Sequence, residues 1–392
     1  MLSPKKIISF FICLFCFSLN FEKVNLLGLN IDYLVSKITF IILFMVSILN
    51  YKKYLNPMPF SKFVYSLIAF FICLTIANYL NTNSISNAYF DASLFINILV
   101  FIIIVNASRF DPKILLKSVF SFSLGSILLT ALYFMDVANS NYEGRQTVFG
   151  LNQNVLGMML VVAFFTILFL FQKRKEIFTR YINILALFLP LLFFLIIRTG
   201  SRTAFISTVL SFFIFLFFSS LNKIKKIAIS ISVFFASVYV WFFYLKDSLI
   251  ISRLNSTIGS GDLSNRDIIW GKIFQVLKGN YVFGIGKTGY VYKMTGVFSL
   301  DGGSTSPHNV VIEIISYTGF VGLIIILPFF YYIFKNGYLA RKLNGNYISL
   351  IYLMLILALI LSGQLLDQKF AWILLAYTAG SYPVNYKNNY YE

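Results

Sequence analysis

The stretch Asp301-Gly-Gly-Ser-Thr-Ser-Pro-His-Asn-Val-Val-Ile-Glu313 lies where a long polar segment meets an apolar run. It contains His308, the only histidine among the 392 residues. Ser306 and Pro307 are typical of an N-cap and a first helical residue, which predicts a helix over about 308–334 with His308 in its first turn. The positive end of the helix dipole would disfavour protonation there, and a neutral imidazole can take a proton from a hydroxyl group. The alternative interpretation is a histidine that merely belongs to a polar helix start.

The composition indicates an integral membrane protein, because 59% of the residues are hydrophobic and only 12% are charged. Apolar runs of about 20 residues predict helices, whereas barrel strands would alternate. The expected fold is therefore an all-α polytopic membrane protein with about 12 transmembrane helices. The predicted spans are residues 7–27, 33–50, 62–80, 92–108, 115–135, 151–171, 179–197, 203–221, 226–245, 308–334, 346–363 and 370–384.

The lysines and arginines alternate between the two sets of span ends, which predicts the orientation by the positive-inside rule. Both termini are then cytoplasmic, and one long loop between spans 9 and 10 faces outward. This divides the chain into spans 1–9 (1–245), the loop (246–307) and spans 10–12 (308–392). The net charge of +18 reflects this cytoplasmic anchoring. It does not indicate a nucleic-acid partner.

The long loop carries its own predicted structure. Residues 265–277 have apolar side chains at helical spacing and predict an amphipathic helix. A glycine-rich turn over 281–289 follows, and Gly302-Gly303 is expected to act as a hinge. The triplet Gly286-Lys287-Thr288 resembles part of a phosphate-binding loop. That interpretation is excluded, because Tyr281 stands where the motif needs glycine and the strand-to-helix context is missing.

Five arginines lie on the predicted outer side, against the positive-inside trend. Arginine presents a planar fork that binds two phosphate oxygens at once, so the group predicts a diphosphate site. Binding to lipid phosphates is the alternative for any single one of them. Two of the five flank a tight turn between adjacent spans. The five are Arg145, Arg198, Arg202, Arg253 and Arg266.

The acidic residues do not predict a metal site. Glu313 lies in the start of the tenth span, on the face of Asn309 rather than that of His308, and is expected to order a neighbouring arginine. Asp262, Asp267 and Asp301 lack metal-ligand spacing. We therefore expect no metal and no cofactor.

These motifs, taken in order, resemble the O-antigen polymerase and O-antigen ligase superfamily. The resemblance covers the whole topology, and its specific motifs occupy about residues 145–322. Gln153 stands where the family has proline in its Asn-Pro-Asn element. The resembling stretches are Gly150-Leu-Asn-Gln-Asn154, Ser201-Arg-Thr-Ala-Phe205, Asn265-Arg-Asp-Ile-Ile-Trp270, Phe283-Gly-Ile-Gly286, Ser306-Pro-His-Asn309 and Ile312-Glu-Ile-Ile-Ser-Tyr-Thr-Gly-Phe-Val-Gly322.

The resemblance implies a metal-independent glycosyltransferase at the outer face of the bacterial inner membrane. Its donor would be an oligosaccharide on undecaprenyl diphosphate. Arg202 and Arg266 are then expected to bind the diphosphate. The other expected substrate-binding residues are Arg145, Arg198, Asn154 and Asn309. His308 is the expected catalytic residue, which activates or positions the acceptor hydroxyl while Asn309 orients it.

The resemblance leaves the acceptor open. A polymerase, the interpretation that we favour, transfers the glycan to a lipid-linked repeat unit, and a ligase transfers it to lipid A–core. Membrane lipids and a chain-length regulator protein are further expected partners. A polytopic transporter or flippase is the alternative from another class. It would need charges deep within spans and discontinuous helices in related halves, and the sequence shows neither.

Overall fold

A computed structural model of the chain describes twelve stretches of it. They are residues 4–23, 34–57, 61–81, 89–137, 139–142, 144–173, 181–228, 231, 249–260, 266–298, 306–362 and 365–382.

The described part of the chain is almost entirely helical. In chain order its elements are α1 (Pro4–Ser18), α2 (Leu34–Ile48), α3 (Tyr51–Tyr54), α4 (Ser61–Leu80), α5 (Ala92–Phe110), α6 (Lys113–Phe134), β1 (Asn139–Tyr142), β2 (Arg145–Val148), α7 (Gln153–Gln172), α8 (Tyr181–Ala186), α9 (Leu189–Arg198), α10 (Arg202–Phe218), α11 (Leu249–Ser260), α12 (Arg266–Val276), α13 (Lys287–Phe298), α14 (Val310–Asn344), α15 (Ile348–Ser362) and α16 (Lys369–Gly380).

Six segments among the described residues are long and apolar enough to cross a membrane. They are Phe63–Leu80, Ala92–Phe110, Lys113–Phe134, Gln153–Gln172, Tyr181–Arg198 and Val310–Lys342. Shorter apolar helices include α2, α10 and α15. The predicted class, an all-α protein with several membrane-spanning helices, is thus confirmed. The count of about 12 spans stays a prediction. Most of the predicted ninth span, 226–245, lies outside the described residues.

Many polar side chains inside the bundle are hydrogen-bonded, which offsets the cost of burying them in a low-dielectric interior. Asn20, just after α1, donates to the backbone oxygen of Phe122 in α6 (2.9 Å) and accepts from the hydroxyl of Ser126 (2.7 Å). Gly125 leaves the space, because a Cβ atom there would collide with the Asn20 side chain. One amide therefore joins two helices through a gap that only glycine provides.

The helices surround a common buried core. The helix α14 packs along α4, α16 packs against α5, and α7 is enclosed by α6, α9 and α10. Trp372 of α16 and Tyr352 of α15 are among the largest fully buried side chains. The Tyr352 hydroxyl lies 2.8 Å from the hydroxyl of Thr166 in α7, which satisfies both groups in the interior.

A two-stranded antiparallel hairpin, β1 with β2, interrupts the helical architecture between α6 and α7. Its register pairs Tyr142 with Arg145, and Gly144, just before Arg145, adopts φ 76°. The all-α prediction did not include this hairpin. The short hairpin fixes the position from which the Arg145 side chain extends.

The described part of the 246–307 segment forms the helices α11, α12 and α13. The predicted amphipathic helix over 265–277 is confirmed by α12, whose Ile269 and Ile273 are buried. The glycine-rich turn is shorter than predicted, because residues 287–289 already belong to α13. Asn78 of α4 explains this early start: its side-chain oxygen accepts from the backbone N–H of Lys287 (2.7 Å) and caps the helix. The predicted hinge at Gly302-Gly303 lies outside the described residues.

The helix α14 is broken at Gly319, which adopts φ 66° and ψ −168°. Segment 281–286 lies against the break, and its backbone N–H and C=O groups form hydrogen bonds with those of α14. The four bonds are Ile285 N to Ser316 O (2.9 Å), Gly286 N to Tyr317 O (2.9 Å), Phe320 N to Tyr281 O (2.9 Å) and Val321 N to Val282 O (3.1 Å). An interrupted apolar helix is tolerated only where its freed backbone groups find partners inside the protein. This pairing joins the 246–307 segment to the helical bundle.

Candidate functional site

The turn between α9 and α10 brings backbone oxygens and arginines together. Gly200 turns the chain at φ 61°, a conformation that favours glycine. The hydroxyl of Ser201 then caps α10 by accepting from the backbone N–H of Ala204 (3.3 Å). Arg202 is the first residue of α10 and is half-buried. The predicted tight turn between Arg198 and Arg202 is therefore present.

Arg145 reaches this turn from the hairpin. Its Nε donates to the backbone oxygen of Thr199 (3.0 Å), and one terminal nitrogen donates to Oδ1 of Asn154 (2.9 Å). Asn154 lies in the first turn of α7, next to the N-cap Asn152. The structure thus connects two predicted residues, Arg145 and Asn154, through one guanidinium. The Asn154 oxygen is used to hold Arg145.

The helix α11 lies against the same turn, and each of the two donates a hydrogen bond to the other. Arg253 donates to the backbone oxygen of Gly200 (2.8 Å). Arg202 donates to the backbone oxygen of Arg253 (3.1 Å) and to the hydroxyl of Thr257. Arg253 was noted among the outer arginines but was not selected as a substrate-binding candidate. Its place beside Arg202 follows from the docking of α11, which no local sequence pattern indicates.

Arg198 stands apart from this arrangement. It is the last residue of α9, and its side chain is exposed. The bonds that organise the turn come from Arg145 and Arg253 instead. The structure brings Arg202 to the centre of the arginine group and leaves Arg198 at its edge.

Arg266 begins α12 and lies close enough to Arg202 and Arg253 for their charges to act on it. Burial and these two positive charges lower the pKa of the Arg266 guanidinium. An arginine remains charged at neutral pH even so. Three like charges that repel each other in a partly buried place would be stabilised by an anion, which is the property expected of a phosphate site.

His308 lies before the helix, not within its first turn. The helix α14 begins at Val310, and its N-cap is Asn309, whose side-chain oxygen accepts from the backbone N–H of Val311 (2.9 Å) and of Ile312 (3.2 Å). The prediction that Ser306 caps the helix and that His308 is helical is therefore wrong. His308 instead adopts a left-handed conformation at φ 48°. Any contact of Asn309 with a substrate falls to its NH₂ group, because the cap uses its oxygen.

The environment of His308 keeps its imidazole neutral. Burial lowers the pKa of His308 below its ordinary value, and the positive charge of Arg266 lowers it further. The expectation of a neutral imidazole is thus met, through burial and an arginine. Helix α12 supplies another contact as well: the indole N–H of Trp270 donates to the backbone oxygen of Pro307 (2.8 Å). Trp270 was not among the predicted site residues, and the Arg-x-x-x-Trp spacing is the signal that could have found it.

A second polar cluster, which we call the Lys287 cluster (Lys287, Asp91, Asp367 and Glu313), lies where α5, α13, α14 and α16 begin. The Lys287 ammonium group bonds to Asp91 and Asp367, each at 2.8 Å. Burial opposes its charge, but the carboxylates of Asp367 and Asp91 outweigh burial and raise the pKa of Lys287. Glu313 is fully buried near this lysine. The positive charge that acts on Glu313 is that of Lys287, and its side-chain hydrogen bond is to Tyr317; among the described residues no ion pair joins it to an arginine.

Residues 185–327 match the family model described as O-antigen ligase. No curated protein sequence matches the chain significantly. The matched segment runs from α8 into α14 and includes Arg198, Arg202, Arg253, Arg266 and His308. Arg145 and Asn154 lie before it. The match over residues 185–327 agrees with the resemblance of this chain to the O-antigen polymerase and O-antigen ligase superfamily.

Proposed function

We propose that this protein is a surface polysaccharide polymerase. It transfers a glycan from undecaprenyl diphosphate to a lipid-linked repeat unit on the outer side of the bacterial inner membrane. The match of residues 185–327 to the O-antigen ligase family model supports an O-antigen polymerase or ligase type of activity on lipid-linked glycans. The observation that supports glycan transfer at this site, by a polymerase or a ligase alike, is the position of Arg266, whose charge acts on His308 while Arg202 and Arg253 act on Arg266.

The arginine group is the proposed binding site for the diphosphate. During transfer the bond between the anomeric carbon and the diphosphate oxygen breaks, and undecaprenyl diphosphate leaves with the bonding electrons. Arg202 and Arg266 neutralise the charge that develops on that oxygen. Arg253 and Arg145 hold the α9–α10 turn in place through the backbone oxygens of Gly200 and Thr199. Because the guanidinium groups supply the positive charge, this step needs no metal ion and no nucleotide.

His308 is the proposed general base. The acceptor hydroxyl loses its proton to the neutral imidazole as its oxygen forms the new bond to the anomeric carbon. The lowered pKa of His308 keeps the imidazole neutral and able to accept this proton. The NH₂ group of Asn309, the next residue, orients the same hydroxyl.

A ligase that transfers the glycan to lipid A–core is the second candidate, and the description of the matching family model favours it. Both enzymes need the same donor site and the same base, so they differ only in the acceptor. A transporter has less support. The break at Gly319 in α14 resembles a discontinuous transporter helix, but segment 281–286 uses the freed backbone groups for pairing.

A deletion strain distinguishes the two enzymes. The lipopolysaccharide or capsule of the deletion strain is compared on a gel with that of the same strain complemented with wild-type protein, with expression verified. We expect the deletion to leave a single repeat unit attached to core, which is the polymerase result. If all glycan remains on the carrier lipid instead, the protein is a ligase.

A further inference from the structure

The peptide group between Pro307 and His308 is bound at both of its polar atoms. Its oxygen accepts from the indole N–H of Trp270 at 2.8 Å. Its N–H group donates to the hydroxyl of Ser306 at 3.4 Å, a longer and weaker bond. Pro307 itself is buried. The plane of this peptide is therefore held from two sides, and the stronger bond comes from a different helix.

This restraint acts on a residue in an unfavourable backbone conformation. His308 has φ 48°, in the left-handed region that residues with a side chain seldom adopt. Such a conformation costs about 1–3 kcal/mol and persists only when the surroundings hold it. On the other side of His308, the Asn309 cap anchors the start of α14. The backbone before and after the histidine is thus fixed. This fixes the direction of the Cα–Cβ bond that carries the imidazole.

The tryptophan and the arginine that act on His308 are on one helix. Arg266 and Trp270 are four residues apart in α12, so they share a helix face. Arg266 influences the ionisation of the imidazole, and Trp270 holds the backbone that carries it. Helix α12 therefore brings a charge and a hydrogen-bond donor to the same histidine.

We propose that Trp270 is a positioning residue for the transfer reaction, which holds the His308 imidazole at a fixed distance from Arg266 and from the acceptor hydroxyl. This inference rests on the function proposed above. Its physical basis is that small displacements of a reacting group are costly: a shift of about 1 Å can lower a rate about a hundredfold.

The substitution Trp270→Phe tests this role, because it keeps an aromatic ring and removes the N–H donor. Trp372→Phe is the matched control. The Trp372 indole also donates to a backbone oxygen, that of Leu366 at 3.1 Å, but in α16 and within the bundle core. Both variants lose one indole–carbonyl bond, and only the first loses the bond next to His308.

The measurement is glycan transfer by purified protein, with kcat, KM and the pH dependence of kcat/KM compared for wild type and both variants. We expect Trp270→Phe to lower kcat about tenfold or more with KM changed less than about threefold. The acidic limb of its pH profile should move to higher pH, because a loosened His308 is more exposed and farther from Arg266, so that its pKa rises towards the ordinary value. Trp372→Phe should keep the wild-type kcat and pH profile even where it lowers thermal stability.

A wild-type kcat and pH profile for Trp270→Phe would overturn the inference. So would a loss of stability alone, as in the control. If Trp270→Phe does not fold, Trp270→Tyr takes its place, because it also keeps an aromatic ring and removes the indole N–H donor. Its acidic limb should move in the same direction, and an unmoved limb together with a wild-type kcat overturns the inference. His308→Ala separates this result from the proposed function: full activity in that variant contradicts the base assignment, whereas an inactive His308→Ala beside a wild-type Trp270→Phe contradicts only the role of Trp270.

Discussion

His308 is the only histidine in the chain, so its ionisation can be followed in a histidine-labelled, tag-free protein with one set of imidazole signals. Burial and the nearby charge of Arg266 both disfavour the imidazolium form. We predict a titration midpoint below the ordinary value of about 6.5. The neutral base form is then present at neutral pH, and activity is lost as the pH falls through the lowered pKa.

Removing the charge of Arg266 should raise the pKa of His308. We predict that the titration midpoint of Arg266→Gln lies above that of wild type, because a positive charge no longer opposes protonation. Arg266→Lys is the matched control, since it keeps the charge and should leave the midpoint near the wild-type value. An unchanged or lower midpoint in Arg266→Gln would show that Arg266 does not act on this imidazole.

Arg202 and Arg198 are two ends of one turn and should respond differently to the same substitution. Arg202→Lys keeps the charge but loses the planar fork that binds two phosphate oxygens, so we predict that transfer activity falls about tenfold or more. Arg198→Lys changes an exposed side chain and should stay within about twofold of wild type. Equal losses in the two variants would contradict the central place given to Arg202.

At the scale of single elements, the break in α14 depends on glycine. Gly319→Ala would place a Cβ atom against the backbone of Val282 and Phe283 at a positive φ. We predict a loss of folded yield and a thermal transition lowered by several degrees. Gly345→Ala at the end of the same helix is the control, because it also has a positive φ (63°) but open space around the Cβ position. Its cost is limited to backbone strain, about 1–2 kcal/mol. Equal stability of the two variants would contradict the pairing of segment 281–286 with α14.

The Lys287 cluster should stabilise the fold, because Lys287 bridges two carboxylates from other parts of the chain. Lys287→Met leaves Asp91 and Asp367 without the ammonium group that bridges them, and Asp91 is only 9% exposed. We predict a loss of about 2 kcal/mol in the free energy of unfolding, between the values for exposed and buried pairs. Lys117→Met removes the more exposed pair with Asp111 and should cost less than about 1 kcal/mol. Equal losses, measured by denaturant unfolding in detergent, would contradict this role.

Some elements could be predicted from the sequence because their signals are local. The helix α12 is one: apolar residues at helical spacing place Ile269 and Ile273 on its buried face, and the structure agrees. The start of α14 was predicted wrongly, because Ser306 and Asn309 are both good N-cap residues. Asn309 is the N-cap in the structure. The residue two positions before it is held by a tertiary contact, because Trp270, 37 residues before Pro307, donates to the Pro307 oxygen. No local pattern contains that contact.

The hairpin and the arrangement of the arginine group were likewise difficult to predict from the local sequence. The Gly144 turn is a weak local signal, since four-residue strands carry little pattern. The sequence indicated that several arginines lie in one region of the protein. It could not indicate that Arg253 and Arg145 bond to the α9–α10 turn whereas Arg198 is exposed, because tertiary packing decides those bonds.

At the scale of the whole molecule, the described helices of the bundle pack with the described parts of the 246–307 segment. The described helices of the segment are bonded to the bundle at the α9–α10 turn, at the break in α14 and at Asn78 of α4. These contacts bring α12, with Arg266 and Trp270, beside His308 at the start of α14. The reaction proposed for this place needs a donor diphosphate, an acceptor hydroxyl and one neutral base.

The most direct test of this account is glycan transfer by purified protein with an undecaprenyl-diphosphate-linked donor, in the presence of a chelator and without nucleotide, compared between wild type and His308→Ala. We predict that wild type remains active and that His308→Ala loses activity about a hundredfold or more, in the range of a missing general base. Wild-type rates in His308→Ala, with both proteins folded and equally loaded, would contradict the account.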